Sequence, residues 1–385
     1  MTLNQTITAA KKTLLGIGLS IIAIILLVVI YRLGIIVKNM LFPQKAQPAN
    51  HLYNVLPTLQ FPQNATSANL SYTINTVTGA LPDFSDRIDV FQIIQAQPNL
   101  LNLNKAKTKA QSLGFIGDDR LVLPEINLDN INYEWVENKG LERKLTINTI
   151  NFNFSLYSNY LSSLSIINSQ GKFNQTDAVT STKNLLADMN QMPNDIDLDK
   201  TTTPQQDINY ITNPQLFSIQ NSKLVPTTSL SKTSVMRVDW YQKDLNYDLN
   251  TGLPAVTGGF KKIKTTLPIL YPHPPYSTMN FFLAAGPQGA QVVAANFVHM
   301  TINSLPDIEA VYPIKTAQEA FDELKNGKGY IAAYSGSNNN ISINKIYLAY
   351  YLGENEQQYL MPIIVFEGDN GFFAYISAVK NEWVK

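Results

Sequence analysis

One long apolar stretch, residues 14–37, constrains this chain more than any other part of its sequence. Its first 18 residues carry no charge, and thirteen of them are Leu, Ile or Val. In an α-helix, 18 residues extend over roughly 27 Å, close to the hydrocarbon thickness of a bilayer. The sequence therefore predicts one membrane-spanning helix over residues 14–37. The residues expected to anchor it are Leu14, Ile22, Leu27, Ile30 and Arg32.

Two other interpretations of this stretch are weaker. A buried helix of a soluble core is rarely apolar on all sides over such a length. A cleaved signal peptide has a shorter apolar region, about 7–15 residues, followed by a small-x-small cleavage site. Residues 38–48 contain no such site, and a chain without cysteine has no lipoprotein anchor. The helix is expected to stay attached to the body.

Basic residues are nearly balanced around the predicted helix, so the positive-inside rule does not decide its orientation. Lys11 and Lys12 precede the helix, whereas Lys38 and Lys45 follow it. The absence of cysteine and a charged fraction of 15%, against about 25% in typical soluble domains, suit an exported surface. We therefore expect a cytoplasmic N-terminus and an extracytoplasmic body, held at the cell membrane by this single helix.

The body carries a small negative charge. Residues 1–82 hold five of the 29 Lys and Arg and none of the 29 Asp and Glu, so residues 83–385 hold 24 basic and 29 acidic groups, a balance of −5. Binding to nucleic acid needs a basic face that neutralises phosphates. We therefore expect no nucleic-acid partner, and we assign the basic residues near the helix to contacts with lipid head groups.

Three short helices with narrow Ala-based apolar stripes interrupt a sequence that otherwise favours strands and turns. They are predicted over Asn104–Leu113, Thr176–Met189 and Thr316–Lys325, the last with a capping box from Thr316 and Glu319. A narrow stripe suits a helix that lies on a sheet. We therefore predict an α+β fold in which an N-terminal transmembrane helix precedes tandem small modules, each a helix packed on an antiparallel sheet.

The predicted domain limits follow from these elements. They are a short N-terminal tail (1–13), the transmembrane helix (14–37), a Pro-containing spacer (38–66), a first α+β module (67–165), a second one (166–305) with an irregular insert (190–234), and a C-terminal α+β module (306–385). The spacer is expected either as a semi-extended linker or as an ordered strip packed on the first module.

The strand pattern is clearest at the C-terminus. Ile341–Leu352, Tyr359–Phe366 and Phe372–Val379 are predicted to form an antiparallel meander. Both faces of its first strand are apolar, which predicts a cover on each side: the third helix on one, and a neighbouring module or a partner on the other. A change of phase near Asn148–Thr149 predicts a bulge or tight turn, and residues 286–289 predict a hairpin.

Candidate sites for metal binding or catalysis are few. Asp195, Asp197 and Asp199 form a D-x-D-x-D pattern that resembles the start of a calcium loop, but the next positions lack the Gly and the acidic ligand of an EF-hand. A solvated turn is the simpler interpretation. The three His are far apart in sequence and there is no Cys, so the spacing of a zinc site is absent. No catalytic motif occurs in a fitting context, and no cofactor is expected.

Tyrosines crowd the C-terminal module, and aromatic side chains concentrate binding free energy at interfaces. Most of these tyrosines are expected in the core. The candidates for contact with a partner are Tyr347, Tyr350, Tyr351 and Tyr359.

Three C-terminal segments resemble a known family: residues 315–330 (KTAQEAFDELKNGKGY), 346–351 (IYLAYY) and 359–366 (YLMPIIVF). They resemble the YycH/YycI-type and PepSY-like modules of bacterial envelope proteins. The resemblance implies small extracytoplasmic units of one helix on an antiparallel sheet. It also implies regulation of a membrane sensor kinase or inhibition of a peptidase, in both cases by binding, and it carries no catalytic residue over to this chain.

The expected function is non-catalytic binding or regulation in the cell envelope, through contacts with another envelope or membrane protein. Two alternatives stay open. One is an envelope hydrolase with a site in residues 190–234, since a long polar loop often carries function. The other is a passive structural spacer of a surface complex.

Overall fold

A computed structural model describes residues 23–34, 49–66, 69–117, 120–121, 132–137, 140–197, 214–254, 260–286, 289–303 and 310–385. Residues 1–49 and 246–266 group into one compact unit, and residues 50–245 and 267–385 group into a second.

Secondary structure in the described residues is mostly strand, with few helices, which confirms the α+β class. In chain order the strands are β1 (Ser71–Ile74), β2 (Arg87–Asp89), β3 (Phe91–Ile93), β4 (Arg120–Leu121), β5 (Asn132–Glu137), β6 (Arg143–Asn148), β7 (Phe154–Ser158), β8 (Ile196–Asp197), β9 (Gln215–Gln220), β10 (Lys223–Pro226), β11 (Val235–Gln242), β12 (Leu245–Pro254), β13 (Phe260–Leu267), β14 (Ile269–Leu270), β15 (Met279–Gly286), β16 (Gly289–Phe297), β17 (Ile302–Asn303), β18 (Val311–Pro313), β19 (Tyr330–Ala333), β20 (Asn340–Tyr351), β21 (Tyr359–Gly368) and β22 (Phe372–Ser377). The helices are α1 (23–34), α2 (Asn102–Ser112), α3 (Leu164–Ile167), α4 (Gln175–Asp188) and α5 (Ala317–Lys325).

The first unit contains α1 and the two-stranded sheet of β12 and β13. The large apolar side chains of α1 are exposed, Leu27 and Ile30 among them. Within the described residues, no helix combines the length and apolar character needed to cross a membrane. Of the predicted membrane-spanning stretch only residues 23–34 are described, so Leu14 and Ile22 lie outside the described part of the chain.

A ten-stranded antiparallel sheet forms one half of the second unit. Its order is β10-β9-β11-β15-β16-β7-β6-β5-β4, with β8 paired to β11. The sheet runs across the predicted limit between the first two modules, because β7 pairs directly with β16. The predicted hairpin joins β15 to β16, and the predicted turn near Asn148 joins β6 to β7. Of the predicted insert, residues 198–213 lie outside the described chain, whereas β9 and β10 extend the sheet.

Helices α2 and α4 cover one face of this sheet. Their small residues Ala106, Ala110 and Ala178 are buried in the same apolar cluster as Trp135 of β5 and Trp240 of β11. The small side chains let the helix backbones approach the strands closely, as the narrow Ala-based stripes predict. Helices α2, α4 and α5 therefore confirm the three helices predicted from the sequence, to within two residues at each end.

The C-terminal meander of β20, β21 and β22 is confirmed, and it is the centre of an eight-stranded sheet. Helix α5 covers one face, where Phe321 lies 6.1 Å from Phe366 between ring centroids. The predicted capping box holds the start of α5: the Thr316 hydroxyl accepts a hydrogen bond from the Glu319 N–H, and the Glu319 carboxylate accepts one from the Thr316 N–H.

The second face of this sheet is covered by residues 50–62 of the same chain. Leu56 is fully buried, and its backbone bonds with residues 383 and 385 tie the strip to the C-terminus. Phe61 packs against Tyr330, Tyr351 and Tyr375, with ring centroids 5.1, 4.8 and 6.5 Å away. This part of the predicted spacer is therefore an ordered strip, and it packs on the C-terminal sheet.

Candidate ligand-binding cleft

One face of the ten-stranded sheet is apolar beneath α2 and α4, and the second face is polar along β6 and β7 because these strands alternate. Toward β11 and β15 that second face carries a smaller apolar cluster with α3, which includes Ile166, Val235 and Ala284. In β6 and β7, Leu145 and Leu156 belong to the core beneath α2 and α4. The residues between them point to the opposite face. There Thr146 of β6 lies beside Ser155 of β7, and Ser155 lies beside Asn296 of β16.

This polar row continues on both sides. Glu134 of β5 pairs with Thr146, and Asn280 of β15 pairs both with Asn296 and with Asp239 of β11. Six adjacent strands therefore present hydroxyl, carboxamide and carboxylate groups on the face opposite α2 and α4.

A buried ion pair ends the row at β11. Arg237 donates two hydrogen bonds of 2.8 Å to the Asp239 carboxylate, and the Ser277 N–H donates a third at 3.0 Å. Burial raises the pKa of Asp239 in spite of the Arg237 charge. The guanidinium also lies 4.0 Å from the ring centroid of Tyr276. These bonds join β11 to residues 276 and 277, so the pair holds neighbouring segments in place.

A cleft of about 630 Å³ opens over the other part of the row. One wall comes from β6, β7, β16 and the turn at residues 148–153, and the other from residues 93–96 and 354–357 beside the C-terminal sheet. The volume falls within the range of small-ligand sites, roughly 300–1,000 Å³. Nine of the lining residues are Asn or Gln, and none is Lys or Arg. Among the described residues, the cleft is therefore polar, and His299 is the one basic side chain in its lining.

The turn at residues 148–153 is shaped by its own carboxamides. The Asn148 Oδ1 accepts hydrogen bonds from the N–H groups of Ile150 and Asn151 at 2.8 and 3.2 Å. The Asn153 Oδ1 accepts one from the His299 N–H at 3.0 Å, which joins the turn to the end of β16. Such side-chain to backbone bonds are typical of tight turns and fix the wall without ligand.

The opposite wall is fixed by Gln357. Its Oε1 accepts from the Gly353 N–H at 3.0 Å, and its Nε2 donates to the carbonyls of Tyr351 and Tyr359 at 3.0 and 3.1 Å. All the polar groups of this side chain are therefore used inside the loop. Across the cleft, the Asn151 Nδ2 donates to the Glu356 Oε1 at 3.2 Å.

Asp195 and His299 form a polar pair at the cleft. The His299 Nε2 and the Asp195 Oδ1 are 2.8 Å apart, and the Gln242 Nε2 donates to the Asp195 Oδ2 at 2.7 Å. Burial would raise the pKa of Asp195, but the hydrogen bond and charge of His299 and the hydrogen bond of Gln242 outweigh it and hold that pKa below its usual value. The pair orients the imidazole, which lines the cleft.

Several other polar side chains that line the cleft are not committed to structure, Thr146, Ser155 and Asn355 among them. Within the described residues, the side chains of Thr146, Ser155 and Asn355 make no hydrogen bond. Ser155 and Asn355 are exposed and Thr146 is half-buried. These groups are the ones that a ligand can engage without breaking a bond inside the protein.

The structure describes two of the three residues predicted for calcium, Asp195 and Asp197. Asp195 is bonded to His299 and Gln242, Asp197 pairs with Tyr241 in the sheet, and Asp199 lies outside the described residues. No cluster of three metal-ligating side chains occurs among the residues that the structure describes.

The four candidate tyrosines are only partly accessible. Tyr350 and Tyr351 are each 1% exposed, and the Tyr350 hydroxyl donates to the Asp89 carbonyl at 2.9 Å, so both belong to the core. Burial in an apolar sheet also raises the pKa of Tyr351. Tyr347 and Tyr359 are half-buried. Tyr359 lines a second cavity, of about 470 Å³, between residues 57–62 and 353–361.

The cleft is not predicted by the sequence. Its walls come from segments that lie far apart in the chain, and the wide spacing of the three His does not single out His299. One local signal is available: Thr146 of β6 and Ser155 of β7 each stand between two apolar residues that belong to the core. That signal indicates a sheet face without an apolar cover.

The similar solved structures include two bacterial proteins. One is the C-terminal domain of YpeB from Bacillus megaterium, at 11% sequence identity and a TM-score of 0.28, with 74% of this chain and 95% of that chain covered. The other is an uncharacterized protein from Eubacterium rectale, at 11% identity and a TM-score of 0.32, with 83% of this chain and 92% of that chain covered. No protein family matches the sequence, and no curated protein matches it.

Proposed function

We propose that this protein is a membrane-tethered binding protein of the cell envelope, with its N-terminus in the cytoplasm and its body outside. It acts without catalysis, by holding part of another envelope component in the cleft between its two sheets. The observation that supports this function best is the pre-built polar cleft of about 630 Å³. Its walls are fixed by internal hydrogen bonds, whereas Thr146, Ser155 and Asn355 remain available.

Pre-organisation is what a binding site needs. A wall that is already ordered loses little conformational entropy when a ligand arrives, so more of the contact free energy appears as affinity. In this cleft Gln357 and Asn148 order the two walls before any ligand is present. The membrane helix, predicted over residues 14–37, would keep this site close to the bilayer surface.

The proposal is tested by photocrosslinking in intact cells. A photoreactive amino acid replaces Ser155, which is exposed in the cleft, or Gln111, which is exposed on α2 behind the opposite face of the sheet. We expect a discrete crosslinked adduct from the Ser155 position and none, or only diffuse background, from the Gln111 position. Equal yields from both positions, or no adduct from Ser155, would contradict the proposal.

A hydrolase is the second candidate, because one observation favours it. Asp195 lies in the 190–234 region and orients the imidazole of His299 at the cleft, an arrangement that suits a general base. This candidate predicts turnover of peptide or glycan by the full-length protein, abolished by His299→Asn. The binding function predicts no turnover in either form.

A further inference from the structure

The chemistry of the cleft also indicates what class of ligand it takes, an inference that rests on the proposed binding function. We infer that the cleft binds an uncharged, hydroxyl-rich ligand, namely a neutral glycan chain, across the row formed by Thr146, Ser155 and Asn296.

Charge excludes one large class of ligands. In the part of the lining that the structure describes there is no Lys or Arg, and the two carboxylates there, Glu354 and Glu356, lie on the exposed loop at the mouth. A phosphate or carboxylate ligand would lose its hydration and meet negative groups, at a net cost in free energy. The ligand therefore carries no anionic group where it enters the cleft.

The polar side chains available in the cleft are suited to hydrogen bonds with the hydroxyl groups of a sugar. The hydroxyl oxygens of Thr146 and Ser155 are each able both to donate and to accept a hydrogen bond. The Asn355 carboxamide offers both a donor and an acceptor. Asn296 uses its Nδ2 to donate to the Thr278 carbonyl at 3.2 Å, and its Oδ1 is an acceptor beside Ser155. A sugar hydroxyl likewise donates and accepts at one oxygen, so it satisfies such groups in pairs.

The backbone of the wall argues against a peptide strand. Extended peptides bind by adding a strand to a free sheet edge, where backbone N–H and C=O groups are unpaired. The wall strands β6, β7 and β16 are each paired on both sides. A ligand there meets side chains on a sheet face, about 4.8 Å apart from strand to strand. This spacing suits a chain of rings that carry hydroxyls at regular intervals.

Apolar contacts complete the site. Phe152, Val298 and Met300 also line the cleft. Sugar rings present C–H groups on their faces as well as hydroxyls at their edges, and these C–H groups pack against aromatic and aliphatic side chains. The cleft therefore offers both kinds of contact that a glycan requires.

The experiment is isothermal titration of the full-length protein in detergent micelles. The probes are chitotetraose and cellotetraose as neutral glycans, and acetyl-tetraalanine amide as a neutral peptide. The cleft variant is Thr146→Val with Ser155→Ala. The matched control is Thr180→Val with Ser337→Ala, which removes the same two hydroxyls from exposed positions outside the cleft.

We expect at least one tetrasaccharide to bind, and the cleft variant to weaken that binding about tenfold through two lost hydrogen bonds. The control should bind as the unmodified protein does, with the same unfolding midpoint. Equal affinities for the cleft variant and the control would overturn the assignment to this cleft. Binding of the peptide alone would overturn the glycan class and leave the proposed function standing. A crosslink at Ser155 without binding of any probe would likewise overturn the glycan class.

Discussion

The two sheets of the larger unit differ in what lies on their second faces. In the ten-stranded sheet, α2 and α4 cover an apolar face, and the other face carries the polar row of Thr146, Ser155 and Asn296. In the eight-stranded sheet, α5 covers one face and residues 50–62 cover the other, so β21 is buried almost throughout. A sheet that is covered on both faces is a structural support, whereas a sheet whose polar face is only partly covered is available for binding there.

The largest expected effect concerns the strip over the C-terminal sheet. Leu56→Ala removes a fully buried side chain between residues 50–62 and the sheet. We expect the free energy of unfolding to fall by about 2–5 kcal/mol, the usual cost of a large-to-small change in a core. Urea unfolding of the full-length protein in micelles, followed by tryptophan fluorescence, measures it.

The matched control is Leu52→Ala, because Leu52 lies in the same strip but is 49% exposed. It should change the free energy of unfolding by less than about 0.5 kcal/mol. Equal effects from the two substitutions would mean that the strip does not cover this face, and the difference between the two sheets would disappear.

A smaller effect is expected on the covered face of the ten-stranded sheet. The Trp240 Nε1 of β11 donates to the Thr182 Oγ1 of α4 at 3.0 Å, and both residues are fully buried. Thr182→Val keeps the shape but leaves the indole N–H without an acceptor, which costs about 1–3 kcal/mol. Thr180→Val, on an exposed turn of the same helix, is the control and should be nearly neutral in the same urea measurement. A neutral Thr182→Val would indicate that α4 is not docked on β11.

The smallest effect is a pH dependence at the cleft. The pKa of Asp195 lies below its usual value, so its stabilising contribution is complete above about pH 4, the value for an unfolded chain, and is lost as the pH falls through the lower folded value. Asp195→Asn should therefore lower the free energy of unfolding at pH 6, and should lower it by a smaller amount at pH 3. The same trend is expected for His299→Asn, since it removes the partner. A pH-independent difference would show that the pair does not form.

Much of the C-terminal region was predictable because its determinants are local. The capping box of Thr316 and Glu319 and the alternation in residues 341–379 are all encoded within short windows. The same holds for the turn after Asn148, where a change of phase marks the boundary between two strands.

The covers of the sheets were less predictable because they depend on contacts between distant segments. Both faces of β20 are apolar, which predicts a cover on each. The third helix is the cover predicted for one face, and the prediction of a neighbouring module or a partner for the other face is wrong. The cover turned out to be residues 50–62, nearly three hundred positions away in the sequence. The Asp195–His299 pair likewise joins two segments separated by 104 positions. No periodicity in the sequence reports such a pairing.

Single-cysteine labelling measures how accessible the faces of the two sheets are, and it is clean here because the natural chain contains no cysteine. Ser155→Cys and Leu156→Cys report on the two faces of β7, and Ile364→Cys and Val365→Cys report on the two faces of β21. We predict that a maleimide modifies the Ser155→Cys protein at least tenfold faster than the other three. Equal rates on the two faces of β7, or fast labelling at either position of β21, would contradict it.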